Sequence, residues 1–374
     1  MGRSLKLFSV RGIDIRLHFT FPLILLWAAL QFGLAGGGVE SALFGVIAIS
    51  LLFVLVTLHE LGHSFAALYY GVPVKQIVLS PIGGMAQLQE IPEKPIQEFV
   101  IAVAGPAVNV LVALLMAMFI PVLGLGAADF VAALTLNAGL TATAVFAYIF
   151  VYKIFLAVFN LIPAFPLDGG RIFRALLAMK LDYVQATTIA ATVGRVVAVL
   201  LGIYALLNGG IFLVFIAVFI YTAAGQEAAA VRARNVLRGY SVQDAYSPSA
   251  YTLTPYTTLQ QAVNLMMVSG QSNFPVVENE TLAGFVTQQE LGEAMQTRGG
   301  HTWTNMIMRR NVAPVSPTTP LLAVQKRLET EQLGALPVVE NGRYLGLIGQ
   351  WQIRHFFMLL TRKTGAPPTI IQSA

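Results

Sequence analysis

SALFGVIAISLLFVLVTLHELGHSFAALYYG, residues 41–71, opens as an unbroken apolar run and then sets His59, Glu60 and His63 where more apolar residues would be expected. The run is long enough to cross a bilayer as a helix. On that helix positions i and i+4 share a face, so the two imidazoles address one point and Glu60 stands beside them. An ionisable group at membrane depth costs on the order of 2.5 kcal/mol or more by insertion scales, so three together imply a joint use. Zinc suits the set. It accepts neutral imidazole nitrogen and carboxylate oxygen in tetrahedral geometry, and catalytic sites leave one position open for water. A carboxylate next to that position is placed to take a proton from the water and return it to a leaving amine. A pair of helix-end histidines satisfied by hydrogen bonds is the plainer alternative, but H-E-x-x-H arises by chance in only roughly two chains per thousand of this composition.

The rest of the chain agrees with a membrane setting. Of 374 residues, 56% are hydrophobic and 11% charged, against about 25% charged in ordinary soluble proteins. Apolar segments at about 18–35, 41–58, 98–121, 131–159, 184–207 and 209–224 predict six transmembrane helices. The connections that carry Lys75, Lys94, Arg171, Arg174, Lys180 and Arg232 alternate with connections free of Lys and Arg, and Arg3, Lys6, Arg11 and Arg16 precede the first span. By the positive-inside rule both termini are cytoplasmic, in a cell inner or plasma membrane. The N-terminus lacks a small-residue cleavage site, so the first segment reads as a retained helix. The net charge of +5 follows this bias; without basic clusters interleaved with aromatics it does not indicate nucleic acid as a partner. The absence of cysteine excludes thiolate ligands, disulfides and a cysteine nucleophile.

Two imidazoles need a third protein ligand. Most acids of the first 230 residues lie in polar connections or at span ends, whereas Asp168 sits in NLIPAFPLDGGR, residues 160–171. Two prolines break the helix there and two glycines allow a sharp turn, so the carboxylate can enter a buried site from non-helical chain. A helix cap at Gly169 is the alternative. Asn160 and Asn109 are candidates for hydrogen bonds to a substrate backbone or developing oxyanion, or simply for helix-end and interhelical bonds. Lys153 is expected to snorkel to the interface, Arg195 to make a structural pair, and His18 to make an interfacial hydrogen bond.

After Gln226 the composition becomes that of a soluble domain, and an internal repeat follows. Pro255, Leu259, Pro275, Val276, Val277 and Gly284 fall 62 residues before Pro317, Leu321, Pro337, Val338, Val339 and Gly346. Each unit reads as strand, helix from near Thr257 or Thr319, buried strand, turn at "EN", strand and helix. Residues 244–361 thus resemble a tandem cystathionine-β-synthase (CBS) pair. That resemblance implies clefts of a kind that often take adenine nucleotides, with Thr287 and Glu290 as the ribose-facing positions, while the second repeat offers Gly349 and Gln352 at the matching places; the alternative is a pair that only packs, forms a homodimer or shapes access to the membrane part.

HELGH, AGPAVNV (104–110) and NLIPAFPLDGGR, in that order, resemble the site-2 protease family of intramembrane zinc metalloproteases, in the subgroup related to the sporulation factor protease. The resemblance implies zinc held by His59, His63 and Asp168, Glu60 as general base, and a transmembrane protein as substrate within membrane lipid. IVLSPIGGMAQL (77–88), with Gly83 and Gly84, resembles the family's substrate-facing hairpin. The fold class expected is a multi-pass α-helical membrane domain followed by a soluble α/β CBS tandem. Its parts are the membrane-embedded protease domain 1–230, a linker 231–243, repeats 244–303 and 304–363, and a tail 364–374. A CBS-containing transporter or channel, or an inactive protease-like binding protein, would share the spans, but the first leaves H-E-x-x-H with LDGG unexplained and the second leaves Glu60 unexplained.

Overall fold

The structure is a computed structural model that describes residues 4–34, 38–81, 83–88, 93–134 and 140–363. The expected tail 364–374 lies outside them. Internal contacts divide the chain into two compact units, Met1–Ala228 and Ala229–Ala374.

The first unit opens with strands β1 (Ser4–Val10) and β2 (Ile13–His18), continues with helices α1 (Pro22–Phe32) and α2 (Gly38–Tyr69), and returns to strands β3 (Val74–Ser80) and β4 (Gly83–Leu88). These form one sheet in the order β1-β2-β3-β4, with β2 and β3 parallel and the other pairs antiparallel. The parallel pairing matters for topology: β2 precedes α1 and β3 follows α2, so the two helices run out from the sheet and back to it. One face of the sheet, with Ile13, Ile15, Ile77 and Leu79, packs on Leu61, Ala67 and Ile101. The apolar side of the strands is therefore spent against the helices that carry HELGH and AGPAVNV.

Helices α3 (Pro95–Phe119), α4 (Ala127–Leu134), α5 (Ala142–Asn160), α6 (Asp168–Ala178), α7 (Tyr183–Leu207) and α8 (Ile211–Leu237) follow. Local signals set their starts. Pro95 occupies the first turn of α3, where a missing N–H costs nothing. The Thr141 side chain accepts from Ala144 N at the start of α5, and Asp182 from Val184 N at the start of α7.

Among the described residues five helices, α2, α3, α5, α7 and α8, are long and apolar enough to cross a membrane. The expected count of six is not reproduced. The first apolar segment contains an 11-residue helix, about 16 Å at 1.5 Å per residue, which is short of the ~30 Å hydrocarbon layer. The segment at 131–159 is divided between α4 and α5. Helix α1 nevertheless packs closely on α2, because a Cβ at Gly45 would come within 2.9 Å of the Ala28 carbonyl oxygen. Large apolar side chains such as Leu26, Val54, Leu114, Phe155, Leu200 and Phe212 point out of the unit. In water such a surface would drive association, whereas in a bilayer it is the lipid contact.

The second unit holds α9 (Leu259–Ser269), β5 (Asn273–Glu278), β6 (Thr281–Thr287), α10 (Gln288–Arg298), α11 (Leu321–Glu331), β7 (Ala335–Glu340), β8 (Arg343–Gly349) and α12 (Gln350–Lys363). The repeat is visible in the pairing itself. Val276 faces Gly284 as Val338 faces Gly346, and Leu253 bridges Val276 as Val315 bridges Val338. Both hairpins turn through positive-φ pairs, Asn279–Glu280 and Asn341–Gly342, the two-residue geometry that matches strand twist. The repeats are also interlocked: Ser247, near the start of the first, bridges Leu347 of the second, and Arg309, near the start of the second, bridges Phe285 of the first. Each repeat completes the other's hairpin. The N-terminal part of the expected linker continues as α8, and Ala233 and Leu237 lie in the core of this second unit.

Candidate active site

His59 and His63 sit on α2 and are 6% and 8% exposed. Their rings meet edge-on with centroids 4.6 Å apart, and their Nε2 atoms are 3.1 Å apart. Asp168, the first residue of α6, brings Oδ2 to 3.0 Å from His59 Nε2 and Oδ1 to 3.2 Å from His63 Nε2. Three ligating groups from two separate helices thus form a triangle, with the two Nε2 atoms 3.1 Å apart and each facing a different oxygen of the Asp168 carboxylate at 3.0–3.2 Å.

Whether that triangle fits a metal ion can be judged from its own dimensions. Zinc–nitrogen and zinc–oxygen bonds of about 2.0–2.1 Å in a tetrahedron place ligand atoms about 3.3 Å apart. The observed separations, 3.1 Å between the nitrogens and 3.0–3.2 Å from each nitrogen to its facing carboxylate oxygen, are close to this spacing. The tautomer matches as well. His63 Nδ1 lies 2.7 Å from the Ile101 carbonyl oxygen; a carbonyl only accepts, so Nδ1 carries the proton and the Nε2 lone pair faces the centre of the triangle. Apart from the His59 imidazole 3.0 Å away, no donor among the described residues meets the buried Asp168 Oδ2. A buried carboxylate oxygen in that condition is costly unless a cation meets it.

Glycines let these elements approach. A Cβ at Gly105 on α3 would overlap the His63 imidazole and lie 2.7 Å from His59 Cε1. At Gly62 it would lie 2.9 Å from the Ala104 carbonyl oxygen, and at Gly170 it would lie 2.7 Å from Phe165 N. The glycine of HELGH, that of AGPAVNV and the pair after Asp168 are therefore each required by backbone packing around the triangle. Gly105 was not among the expected site residues; its only sequence signal was its place in AGPAVNV.

Glu60 meets the hairpin. Its Oε2 accepts from the Ala86 N–H of edge strand β4 at 3.2 Å. A Cβ at Gly84 would lie 2.8 Å from Glu60 Cγ, so this glycine keeps β4 against the carboxylate. Gly83 opens β4 with φ of 132°, a conformation open to glycine. The expected hairpin thus lies directly beside Glu60.

The remaining candidates separate. Asn109 is buried on α3, one turn beyond Gly105, and its Oδ1 has no partner among the described residues. Asn160 ends α5 and is half-buried. Among the described residues neither amide makes a hydrogen bond to His59, His63 or Asp168. Lys153 departs from the expectation of snorkelling: it is 3% exposed, and Nζ donates to the Leu55 carbonyl oxygen of α2 at 3.3 Å. The amine has turned inward because a helix carbonyl beside it offers an acceptor. Arg195 lies over the Tyr221 ring of α8, 5.2 Å from its centroid. His18 Nδ1 is 2.7 Å from Thr20 Oγ1.

In the second unit, Thr287 caps α10. Its N–H and Oγ1 both donate to Glu290 Oε2 at 2.9 Å, and Glu290 Oε1 pairs with Arg309 Nε. Both carboxylate oxygens are thereby in use. A cleft of about 530 Å³ adjoins them, lined by Ser272, Asn273, Thr287, Gln289, Arg309 and Gly334 among others.

Comparison with known proteins agrees with this construction. The pattern of peptidase family M50 matches residues 47–201, and that of the CBS domain matches 242–296 and 305–359. A zinc metalloprotease of Methanocaldococcus jannaschii is 31% identical over 97% of this chain and 98% of its own. The chain belongs to peptidase family M50. A putative zinc metalloprotease of Synechocystis is 26% identical over 93% of this chain and 94% of its own. The solved site-2 protease of Methanocaldococcus jannaschii is 35% identical, covering 60% of this chain and 95% of its own, with a TM-score of 0.44. The protease is thus a multi-pass integral membrane zinc metalloprotease with a CBS pair at its C-terminal end. The transporter alternative gives way to this family membership.

Proposed function

We propose that the protein hydrolyses peptide bonds within or beside transmembrane segments of other proteins, with His59, His63 and Asp168 holding one zinc ion and Glu60 acting as general base. The observation that carries the reading is the convergence of His59 Nε2, His63 Nε2 and the Asp168 carboxylate, the nitrogens 3.1 Å apart and each near 3 Å from its own carboxylate oxygen. When bound, zinc supplies Lewis acidity that polarises the scissile carbonyl and makes water nucleophilic near neutral pH.

The chain's own groups do the rest. Glu60 accepts the proton of the attacking water and passes it to the departing amine. The Ala86 N–H holds one Glu60 oxygen in place, and the other accepts no hydrogen bond among the described residues. A helical substrate hides its carbonyls, so cleavage needs extended backbone; the outer edge of β4, unpaired by any strand among the described residues and next to Glu60, supports strand pairing with an unwound segment. Asn109, with its bare Oδ1, and Asn160 are placed to bond substrate backbone.

The site belongs near one end of α2. His59 lies 21 residues along the 32-residue helix, about 32 Å from its start, so the histidines stand at the sheet end of the span. Lys6, Arg11, Arg16 and Lys75 cluster on β1, β2, their turn and β3 at that end, which the positive-inside rule makes cytoplasmic. Both termini are assigned to that side.

The cleft beside Thr287 supports binding of an adenine nucleotide, with Arg309 facing its phosphates once Glu290 is displaced. Millimolar ATP or AMP is then expected to raise the thermal midpoint by mass action; no shift refutes this part. For the protease, purified wild type and Glu60→Gln are compared for zinc content and cleavage of a transmembrane peptide. Retained zinc with lost cleavage is expected, and cleavage surviving in Glu60→Gln refutes the role of that residue.

A further inference from the structure

Arg174, in the connection whose basic residues were read as marking the cytoplasmic side, is fully buried. Its guanidinium gathers three helices. Nε donates to Glu98 Oε1, in the first turn of α3, at 2.8 Å, and Nη2 donates to the same oxygen. Nη1 donates to Glu227 Oε1, on α8, at 2.5 Å. The rings of Phe165 and Tyr183 lie 4.8 and 5.1 Å from Cζ. Phe165 belongs to the segment leading into α6, three residues before Asp168, and Tyr183 opens α7.

Helix α6 has 11 residues, too few to hold a helix or a direction by itself in the absence of packing. Asp168 is its first residue, and Arg174 follows six residues later, about 9 Å along the axis. The segment before α6, the helix after it, and the first turn of α3 all meet at the guanidinium. Through Glu98 it also holds the helix whose Gly105 lies against both imidazoles. As a simple strut this arrangement is poor: two carboxylates share one buried guanidinium, and Glu98 Oε2 is buried without a partner among the described residues. Apolar residues of similar volume commonly stabilise such an interior as well or better. A fork of fixed donors instead supplies orientation.

We propose that Arg174, clamped by Glu98 and Glu227, is a positioning residue for the metal centre, setting α6 so that the Asp168 carboxylate stands against His59 and His63. The inference rests on Asp168 being a metal ligand. Outer partners that orient a metal ligand typically change metal affinity by about 10- to 100-fold when altered. The residue is distinguished from a strut by what its loss changes: metal binding and geometry more than folding.

The test uses the full chain in detergent. Zinc affinity is read by competition with a fluorescent chelator, coordination geometry by the visible spectrum of the cobalt-loaded protein, and folding by the thermal midpoint of the metal-free protein. Arg174→Lys keeps the charge and loses the fork, so zinc should bind at least about tenfold more weakly, with a shifted cobalt band and a nearly unchanged metal-free midpoint. Glu227→Gln, which leaves the Glu98 pair intact, should show a smaller loss in the same direction and decides the matter if Arg174→Lys fails to fold. Asp168→Asn is the control. If it loses zinc while the folded variants bind within twofold of wild type and keep the cobalt spectrum, the positioning role is overturned and the ligand assignment stands. If Asp168→Asn itself binds zinc normally, the ligand assignment falls and the inference with it.

Discussion

Replacing Gly105 by alanine adds one methyl group at the contact between α3 and the two histidines. The new Cβ would overlap the His63 imidazole and lie 2.7 Å from His59 Cε1, well inside the 3.5–4.0 Å at which carbon atoms attract. Neither ring can yield cheaply. His63 is pinned by its 2.7 Å bond to the Ile101 carbonyl, and both histidines project from the same rigid turn of α2. Either α3 withdraws or the rings leave their rotamers; overpacking of this kind costs about 1–3 kcal/mol. If most of that strain is relieved by turning the imidazoles away from Asp168, zinc affinity falls by about 5- to 150-fold, at 1.4 kcal/mol per factor of ten. Chelator competition on the full chain measures this directly, with Glu60→Gln alongside as a variant that should keep its metal. Zinc affinity within twofold of wild type, together with normal cleavage, would refute the claim that close α2–α3 packing sets the geometry of the centre.

Two further substitutions probe the elements around it. In Gly84→Val the added side chain collides with Glu60 and Val56, 2.8 Å and 3.0 Å from the Cβ position, so kcat/KM should fall at least about tenfold while zinc content is retained, as expected for a general base worth about 10²–10⁴-fold; unchanged cleavage would detach β4 from catalysis. In Lys153→Met the buried amine and its single carbonyl contact at 3.3 Å are exchanged for an apolar chain of similar length. The thermal midpoint should stay equal or rise, because the cost of desolvating the cation disappears; a drop of many degrees would show that the amine does more than occupy an interhelical gap.

Much of the site was legible because its chemistry is written in local spacing. His59 and His63 share a helix face by arithmetic alone, and Asp168 stood out because acids are scarce in the first 230 residues and because Pro166, Gly169 and Gly170 surround it with breaks. The repeat of the second unit was legible because one constant offset runs through every paired position. The span count of six is not reproduced among the described residues for a physical reason: hydropathy accumulates over apolar residues whether or not one helix joins them. At 18–35 the helix described is the 11-residue α1, and at 131–159 the described residues divide between α4 and α5. What the sequence withheld are properties of pairs distant along the chain. Gly105 matters only because two imidazoles face it, and Arg174 is buried only because Glu98 and Glu227, from α3 and α8, come to meet it.

The central claim is that one zinc ion is shared by two histidines of α2 and the first residue of α6. Zinc-edge X-ray absorption of the purified full chain tests it most directly, comparing wild type with Asp168→Ala. The account predicts one zinc per chain, two imidazole nitrogens and oxygen ligands at about 2.0–2.1 Å, and loss of zinc or replacement of the carboxylate oxygen in the variant. Full zinc occupancy with an unchanged spectrum in Asp168→Ala would contradict it.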